Sequence, residues 1–305
     1  MSIFDGIKNK YADYRLNKIN RLESSISGND GSLRASLTSP EKLMPDKLKI
    51  TIKTLPKQLS IAKNMENTVK SLEYNPVNPK TTTDNDFIQK FEEYAYSLGI
   101  TRVGYTDVPQ EFIFRNKSIL FENAIILISE MDKKAVDLAP SSETQEMGIV
   151  TYDEHGKKTN ILAEFLRENG FASHASHPAG GFVTYTWLAQ RAGLGYIGKH
   201  GMLITPEHGP RQRISAIFTS IKNLPRNEHD EHSWIPNFCK KCGNCIRNCP
   251  ENAFAQIKSH ETGEMTTSVV KDLCHGCGIC MKECNFTKRD YMQIKGRYDN
   301  LKTRN

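Results

Sequence analysis

The chain has 305 residues, of which 38% are hydrophobic, and a formal net charge of +6 from 41 basic and 35 acidic residues. That length allows a full hydrophobic core, and no stretch approaches the roughly 20 apolar residues of a membrane-spanning helix. The mild, dispersed charge is typical of a solvated surface rather than a nucleic-acid footprint, although an RNA partner stays open. Residues 1–21 are charged throughout and show neither an apolar signal core nor a twin-arginine pair, which predicts a cytoplasmic protein.

Residues 1–84 are predicted to form an N-terminal extension that is partly helical. Residues 24–32 are rich in Ser, Gly, Asn and Asp, and residues 74–86 are rich in Pro, Asn and Thr, so both predict loops or linkers. Scattered apolar positions between residues 43 and 72 predict one or two helices packed on the main body.

The next region, residues 85–236, shows the alternation of helices and strands that is typical of an α/β (α+β) fold. Its apolar residues recur at helical spacing in two places and form one continuous run, AIILIS, of the length and composition of a buried central strand. The predicted elements are a helix at residues 87–98 that ends at Gly99, a strand at 100–105, a strand at 124–129 and a helix at 161–168 that ends at Gly170. Together they predict a sheet with helices on its faces.

Residues 192–213, AGLGYIGKHGMLITPEHGPRQR, are rich in glycine and in basic residues. Because glycine has no side chain, it lets the backbone approach a flat ligand closely, which predicts a redox-cofactor pocket. Tight turns in an ordinary loop are the alternative. A Rossmann dinucleotide site is poorly supported, because a predicted helix and not a strand precedes the Gly-x-Gly-x-x-Gly pattern. The residues expected to bind the cofactor are Gly193, Gly195, Gly198, Lys199, His200, Gly201, Met202, Leu203 and His208.

All eight cysteines fall into two runs with the spacing Cys-x2-Cys-x2-Cys-x3-Cys. This is the bacterial ferredoxin run, in which the fourth cysteine of each motif binds the 4Fe-4S cluster of the other motif. Two zinc sites or a disulfide framework are the alternatives, but zinc knuckles are usually separated by longer loops. The first predicted set is Cys239, Cys242, Cys245 and Cys284, and the second is Cys249, Cys274, Cys277 and Cys280.

These motifs resemble the core of the corrinoid- and iron–sulfur-dependent reductive dehalogenases. The similar segments, in chain order, are AIILISEMDKKAVDLAPS, LAEFLRENGF, GLGYIGKHGMLITPEHGPRQR, FCKKCGNCIRNCP and CGICMKECNF. The epoxyqueuosine reductases, which act on tRNA, share the architecture and part of the AGLG-x-x-GK signature. Asn285 departs from the pattern, because a proline normally follows the last cysteine.

The resemblance implies an organisation and a set of cofactors. After the extension, it implies a nitroreductase-like corrinoid-binding catalytic domain at residues 85–236. A ferredoxin-like domain with two 4Fe-4S clusters follows at 237–290, and a C-terminal tail at 291–305. The expected cofactors are the two clusters and cobalamin. The expected partners are a small-molecule substrate and a low-potential donor such as ferredoxin or flavodoxin, with tRNA as a less favoured partner.

The implied reaction is reductive cleavage of a carbon–halogen or similar bond, and it needs a proton donor and a cation for the departing anion. By similarity, Tyr152 is the expected donor, and Lys199 and Arg211 are the expected catalytic cations. The alternatives are a strand-end aromatic for Tyr152 and ordinary surface charge for the two cations. His174 and His177 are weaker candidates for the cofactor pocket, because histidines in a polar loop are usually solvated.

Two other functions remain open from the sequence. One is an enzyme on tRNA like the epoxyqueuosine reductases, and the other is an electron-transfer or corrinoid-reactivating protein without a substrate of its own.

Overall fold

A computed structural model describes residues 26–27, 47–114, 117–227, 231–258, 265–270 and 273–302. Its centre is an antiparallel four-stranded sheet in the order β2, β4, β8, β5. These strands span Arg102–Asp107 (β2), Asn123–Glu130 (β4), Ser173–Ser176 (β5) and Gln212–Thr219 (β8). The run AIILIS forms β4 in the interior of the sheet, as predicted, and the mixed helix and strand class is confirmed.

Helices cover both faces of this sheet, because successive side chains of a strand point to opposite faces. Ile125 and Leu127 pack with helices α2 (Asn85–Ser97) and α4 (Ser142–Glu168). Ile126 and Ile128 pack with α5 (Tyr185–Arg191) on the other face. The short helix α3 (Lys133–Asp137) connects β4 to α4.

The predicted helix before Gly99 is confirmed as α2. The Asp84 side chain caps its start by accepting a hydrogen bond from the Phe87 N–H at 2.8 Å. At the other end Gly99 takes φ of +81°, the left-handed conformation that commonly follows a helix. The strand that follows, predicted at residues 100–105, lies two residues later.

Helix α4 is much longer than the predicted helix at residues 161–168, although it ends before Gly170 as expected. Ser141 caps its start. Its first half contains few apolar residues, which is why helical periodicity did not reveal it. Tyr152 therefore lies in the middle of a helix, and its interpretation as a strand-end aromatic is wrong.

The N-terminal part is described for α1 (Lys47–Lys70), the 3-10 turn Ser71–Tyr74 and the two-residue strand β1 (Ile26–Ser27). Helix α1 packs on α4, where the Asn160 side chain donates to the Asn64 carbonyl at 3.0 Å. The prediction of one or two helices packed on the body is thus confirmed as one helix. Strand β1 pairs with β3 (Ser118–Ile119), and the remainder of the predicted loop at 24–32 lies outside the described residues.

The glycine-rich stretch follows α5 and forms the small hairpin of β6 (Tyr196–Ile197) and β7 (Leu203–Ile204). The segment before the glycines is a helix, as predicted. After β8 the cysteine-rich region begins. Its elements are α6 (Ile235–Cys242), α7 (Asn244–Arg247), β9 (Phe254–Lys258), β10 (Met265–Val269), α8 (Ile279–Lys282), α9 (Asn285–Lys288) and α10 (Tyr291–Lys302).

The predicted C-terminal tail is helix α10 over its described part, and Tyr291 and Ile294 pack into a buried aromatic cluster around Trp234 and Phe286. This cluster ties α10 to α6 and α9. Among the described helices, none combines the length and apolar character that crossing a bilayer requires.

Candidate functional site

The first cysteine set surrounds one cavity. Cys239 and Cys242 lie on α6, Cys245 lies on α7, and Cys284 precedes α9. Gly243, with φ of +62°, makes the turn that places α7 directly after α6. The remaining lining residues are Lys199, His200, Phe238, Asn244, Asn285 and Phe286. The set predicted from the spacing, including the cysteine of the second motif, is therefore brought together.

The second set is also close in space. Cys249 and Cys274 lie close enough to Cys277 for their charge to contribute, after burial, to its raised pKa. The same three cysteines contribute in this way to the raised pKa of Cys280. Cys245 of the first set also contributes to the raised pKa of Cys280, so the two sets lie next to each other. The exchange of the fourth cysteines between motifs, expected for a two-cluster ferredoxin run, is thus present in the spatial arrangement.

Several thiols in both sets are desolvated. Burial raises the pKa of Cys239 to about 11 and that of Cys280 to about 12, and it also raises the pKa of Cys284. Among the described residues, no group of three or more His, Cys, Asp or Glu side chains is arranged to hold a metal ion. Four thiolates on one zinc ion would converge at about 2.3 Å from it. The first set lines one cavity together with Lys199, His200 and Asn285.

A second cavity, called the cleft here, lies beside the cysteine-rich region. Its volume is about 280 Å³, or about 830 Å³ with the space that opens to solvent. Sites for small organic molecules usually have volumes of about 300–1,000 Å³. The lining residues are Phe114, Tyr152, Pro178, Thr184, Tyr185, Thr186, Gly201, Met202, Leu203, Pro210, Gln212, Arg213, Ile214 and Met281.

Tyr152 lies in the cleft with a cation against its ring. The guanidinium carbon of Arg213 is 3.6 Å from the ring centroid. Arg213 Nε donates to Thr151 Oγ1 at 3.1 Å, and Arg213 Nη2 donates to the Gly148 carbonyl at 3.4 Å, so α4 itself holds the guanidinium. The arrangement combines a hydroxyl donor with a fixed positive charge.

Residues 199–203 connect the two cavities. Lys199 and His200 line the cavity of the first cysteine set, whereas Gly201, Met202 and Leu203 line the cleft. His200 and Gly201 are neighbours in the chain, and their Cα atoms are therefore about 3.8 Å apart. The linings of the two cavities are thus continuous along the backbone at this point. His200 Nδ1 accepts a hydrogen bond from the Met202 N–H at 3.1 Å, and burial lowers the His200 pKa to about 4, so the ring is neutral.

The glycines divide into two groups. A Cβ atom at Gly195 would lie 2.2 Å from the Ile204 carbonyl oxygen, and those at Gly193 and Gly198 would also meet this chain's own atoms. These three glycines allow the chain to pack on itself and do not line the cleft. At Gly201, with φ of +75°, a Cβ would have only a Val269 methyl within reach, at 3.8 Å. Gly201 is thus the glycine whose position suits the approach of a ligand.

Arg211 and His208 lie away from the cleft. Arg211 is buried, and its Nη1 donates to Glu130 Oε1 at 2.8 Å and to the Met131 carbonyl at 3.0 Å. His208 Nε2 lies 2.9 Å from Thr101 Oγ1, and burial lowers the His208 pKa. Lys199 adjoins the cysteines. The structure therefore brings neither Lys199 nor Arg211 to Tyr152, and the cation beside the ring is Arg213.

The histidines that were expected to be solvated are buried. His174 lies on β5 with its ring 4.6 Å from that of Phe182, and His177 follows the same strand. Burial lowers the pKa of His174 to about 3 and that of His177 to about 4. Gly156 of α4 makes room for the His177 ring, because a Cβ there would lie 1.8 Å from Nε2. Neither histidine lines the cleft.

Sequence reasoning missed several lining residues. Arg213 stood among the basic residues of the glycine-rich stretch, and no feature of the local sequence singled it out there. Thr184 and Tyr185 carried no signal, because their segment was read only as a helix. Met281 directly follows Cys280 of the second set, and this position was the signal that could have placed it near a cofactor.

The cysteine-rich region matches a known domain family. Residues 238–287 match the family described as "4Fe-4S dicluster domain". This match covers both cysteine motifs. It supports iron–sulfur clusters as the group that these cysteines bind.

Longer stretches are similar to two groups of enzymes. The chain is 27% identical over 183 residues to the tetrachloroethene reductive dehalogenase of Sulfurospirillum multivorans, a match that covers 55% of this chain and 36% of that protein. It is 31% identical over 149 residues to the corresponding enzyme of Desulfitobacterium hafniense, covering 48% and 24%. It is 23% identical over 247 residues to the epoxyqueuosine reductase of Bacillus subtilis, covering 64% and 62%. The chain thus matches less than two thirds of each of these relatives.

The fold is also similar to a solved dehalogenase. A catabolic reductive dehalogenase in complex with 3-bromo-4-hydroxybenzoic acid superposes with a TM-score of 0.65 at 18% identity, over 81% of this chain and 38% of that chain. Both groups of sequence relatives are oxidoreductases. The resemblance inferred from the motifs is therefore confirmed: the chain is similar to the iron–sulfur reductases represented by the reductive dehalogenases and the epoxyqueuosine reductases.

Proposed function

We propose that the chain is a corrinoid-dependent iron–sulfur reductase of the reductive-dehalogenase type, which reductively cleaves a carbon–halogen or similar bond. The observation that carries this proposal is the segment 199–203. It lines the cavity of the first cysteine set at one end and the cleft that holds Tyr152 at the other. This continuity supports electron transfer from the first cysteine set to a site where a small molecule and the proposed proton donor would meet.

The proposed electron carriers are two 4Fe-4S clusters with crossed ligation. The donor set fits, because each group brings together four thiols, the number of cysteines that a 4Fe-4S cluster requires. The match of residues 238–287 to a dicluster domain supports the same assignment. An external donor such as ferredoxin or flavodoxin would supply the electrons.

The proposed corrinoid site is the cleft. Its mixed apolar and polar walls and its open mouth suit an organic group that carries polar substituents, and Gly201, Met202 and Leu203 are the expected binding residues that line it. When bound, a reduced cobalamin supplies the two-electron reduction of a carbon–halogen bond. The dehalogenase relatives support cobalamin as the cofactor.

The side chains of the cleft would complete the reaction. The carbon–halogen bond takes up two electrons and one proton, a carbon–hydrogen bond forms, and the halide leaves. Tyr152 would donate the proton through its hydroxyl. Arg213, held against the ring by α4, would stabilise the phenolate that remains and the charge of the departing anion. Arg211 would have a structural role, because its guanidinium donates hydrogen bonds to Glu130 and to the Met131 carbonyl.

A second candidate is a reductase acting on tRNA. The likeness to the Bacillus subtilis epoxyqueuosine reductase extends over 247 residues, a longer stretch than either dehalogenase match above.

A turnover screen separates these functions. The anaerobically reconstituted protein would be given cobalamin, a low-potential reductant and one of three substrates: a halogenated aromatic, a halogenated alkene or epoxyqueuosine-containing tRNA. Release of halide supports the proposal. Conversion of the tRNA without release of halide from any organohalide would replace it with the second candidate.

A further inference from the structure

Asn285 makes a side-chain contact to one of the cysteine sulfurs. Its amide Nδ2 donates a hydrogen bond to Cys242 Sγ at an N···S distance of 3.2 Å. Asn285 is the first residue of α9, directly after Cys284, and it lines the cavity of the first cysteine set. Cys284, which precedes Asn285 in the chain, and Cys242, which accepts its hydrogen bond, both belong to the first set.

The second set has a different residue at the matching place. The first motif ends in Cys249–Pro250, whereas the second ends in Cys284–Asn285. Proline suits the first position of a helix and has no N–H or side-chain donor. By the crossed arrangement, Pro250 follows a cysteine of the second set. The two sets thus differ at this position in their capacity to donate a hydrogen bond.

A positive charge lines the same cavity as Asn285. Lys199 lines the cavity of the first set, and its charge acts on Cys239 and Cys245. The Lys199 backbone N–H also forms a hydrogen bond to Cys239. Hydrogen bonds to the sulfurs and nearby charge are two of the factors that set the potential of an iron–sulfur cluster.

We propose that Asn285, acting with Lys199, raises the reduction potential of the cluster held by the first set above that of its neighbour. A donor and a cation beside the thiolates stabilise the more negative, reduced form. One electron from the external donor then resides preferentially on the cluster beside residues 199–203, and no covalent bond is made or broken in that step. Asn285 thus tunes which of the two clusters holds the electron, an inference that rests on the proposed two-cluster function.

The test is a redox titration followed by electron paramagnetic resonance on the full-length, anaerobically reconstituted protein. Asn285→Leu keeps the size of the side chain and removes the donor. We expect the potential of the first cluster to fall by about 59 mV, which corresponds to a tenfold change in a one-electron equilibrium. The second cluster should keep its potential. The first cluster is identified as the signal that Cys242→Ser perturbs.

Asn248→Leu is the matched control. Asn248 precedes Cys249, and its amide donates to the Asn244 carbonyl at 2.9 Å rather than to a sulfur. This variant should leave both potentials unchanged. If Asn285→Leu loads less iron than the wild type, Asn285→Pro, which copies the Cys249–Pro250 pair, provides the same comparison.

The outcomes separate the two claims. Wild-type protein with about eight irons, and unchanged potentials in Asn285→Leu and Asn285→Pro, overturns the tuning role and leaves the proposed function intact. Wild-type protein that holds four irons or fewer overturns the two-cluster basis itself.

Discussion

The Arg213 guanidinium carbon lies 3.6 Å from the centroid of the Tyr152 ring. Both side chains line the cleft, and Arg213 is fixed by hydrogen bonds to Thr151 and Gly148 of the same helix that carries Tyr152. A cation at the face of an aromatic ring is attracted to it and here also stands where negative charge would develop. This pair is the proposed chemical centre of the cleft.

Tyr152→Phe removes only the hydroxyl of this pair. We expect turnover to fall by roughly 10²-fold or more, the usual contribution of a positioned acid, while iron and corrinoid load normally. The measurement is the initial rate on a confirmed substrate beside the iron and corrinoid content. Near-normal turnover would contradict the assignment and point to bound water, because Asp153 and His155, the other nearby candidates on α4, do not line the cleft.

Arg213→Gln removes the cation from the ring. We expect a decrease in turnover of about 10²-fold, comparable with the loss of one group that stabilises developing charge. Arg102→Gln is the control, because Arg102 makes a surface ion pair with Glu207 at 2.7 Å and such pairs contribute little to stability. Equal rates for Arg213→Gln and Arg102→Gln would exclude a chemical role for Arg213.

Gly201→Val should block the corrinoid and leave the iron content unchanged, because the added side chain would enter the cleft. Gly99→Val is the control: Gly99 also has a positive φ, of +81°, and lies outside the cleft, so it reports the backbone strain together with the contact of the added Cβ with Lys158 Nζ at 3.1 Å. The measurement is the corrinoid absorbance retained after gel filtration. Equal retention by the two variants would show that residue 201 does not contact the cofactor.

Gly195→Val should behave differently from Gly201→Val. Its Cβ would collide with the Ile204 carbonyl oxygen, so we expect loss of folded protein rather than selective loss of corrinoid. A thermal unfolding curve with unchanged midpoint for Gly195→Val would contradict the packing that the structure shows.

Cys249→Ser tests the crossed ligation. We expect it to perturb the cluster held by Cys274, Cys277 and Cys280, because Cys249 lies with those three cysteines. Mössbauer or paramagnetic resonance spectra of the reconstituted variant provide the measurement. A change confined to the cluster of Cys239, Cys242 and Cys245 would show that each motif binds its own cluster.

His174 should make folding stability depend on pH. Burial lowers its pKa in the folded protein to about 3, so below the unfolded value of about 6.5 only the unfolded chain takes up the proton. Stability from this group is present above pH 6.5 and is lost as the pH falls. Between pH 8 and pH 6 the loss is about 0.8 kcal/mol per buried histidine.

His174→Leu removes this titration and keeps an apolar side chain among Phe182 and Phe218. We therefore expect the variant's free energy of unfolding, measured with urea, to change less between pH 8 and pH 6 than that of the wild type. An identical pH dependence would show that His174 is not buried in its neutral form.

The sequence predicted the parts of the fold that depend on local pattern. The β4 strand and the helix before Gly99 followed from apolar periodicity, and the two cysteine sets followed from spacing alone. Helix α4 was underestimated, because its first half packs on α1 with polar contacts such as Lys57 to Asp153 at 3.2 Å and carries little apolar periodicity. Local signals do not report such long-range packing.

The site was harder to predict than the fold. Lys199, Arg211 and Arg213 lie within 15 residues, and no local feature shows which of the three reaches Tyr152. The pairing of β8 with β4 decides it, because that register sends Arg211 toward Glu130 and leaves Arg213 beside α4. The burial of His174 and His177 was also not predictable from local sequence. The polar residues around them indicate a loop, whereas Ser173–Ser176 forms a buried strand that pairs with β8.

The most direct test of the proposed function is halide release by the reconstituted full-length protein. The assay would compare protein with cobalamin, protein without cobalamin, and protein with cobalamin that carries Cys242→Ser, each supplied with a low-potential donor and a panel of organohalides. We expect one halide to be released per two electrons consumed, and only when cobalamin and both intact cysteine sets are present. Halide release that is independent of cobalamin, or no release from any organohalide by protein that holds both clusters and the corrinoid, would contradict the proposed function.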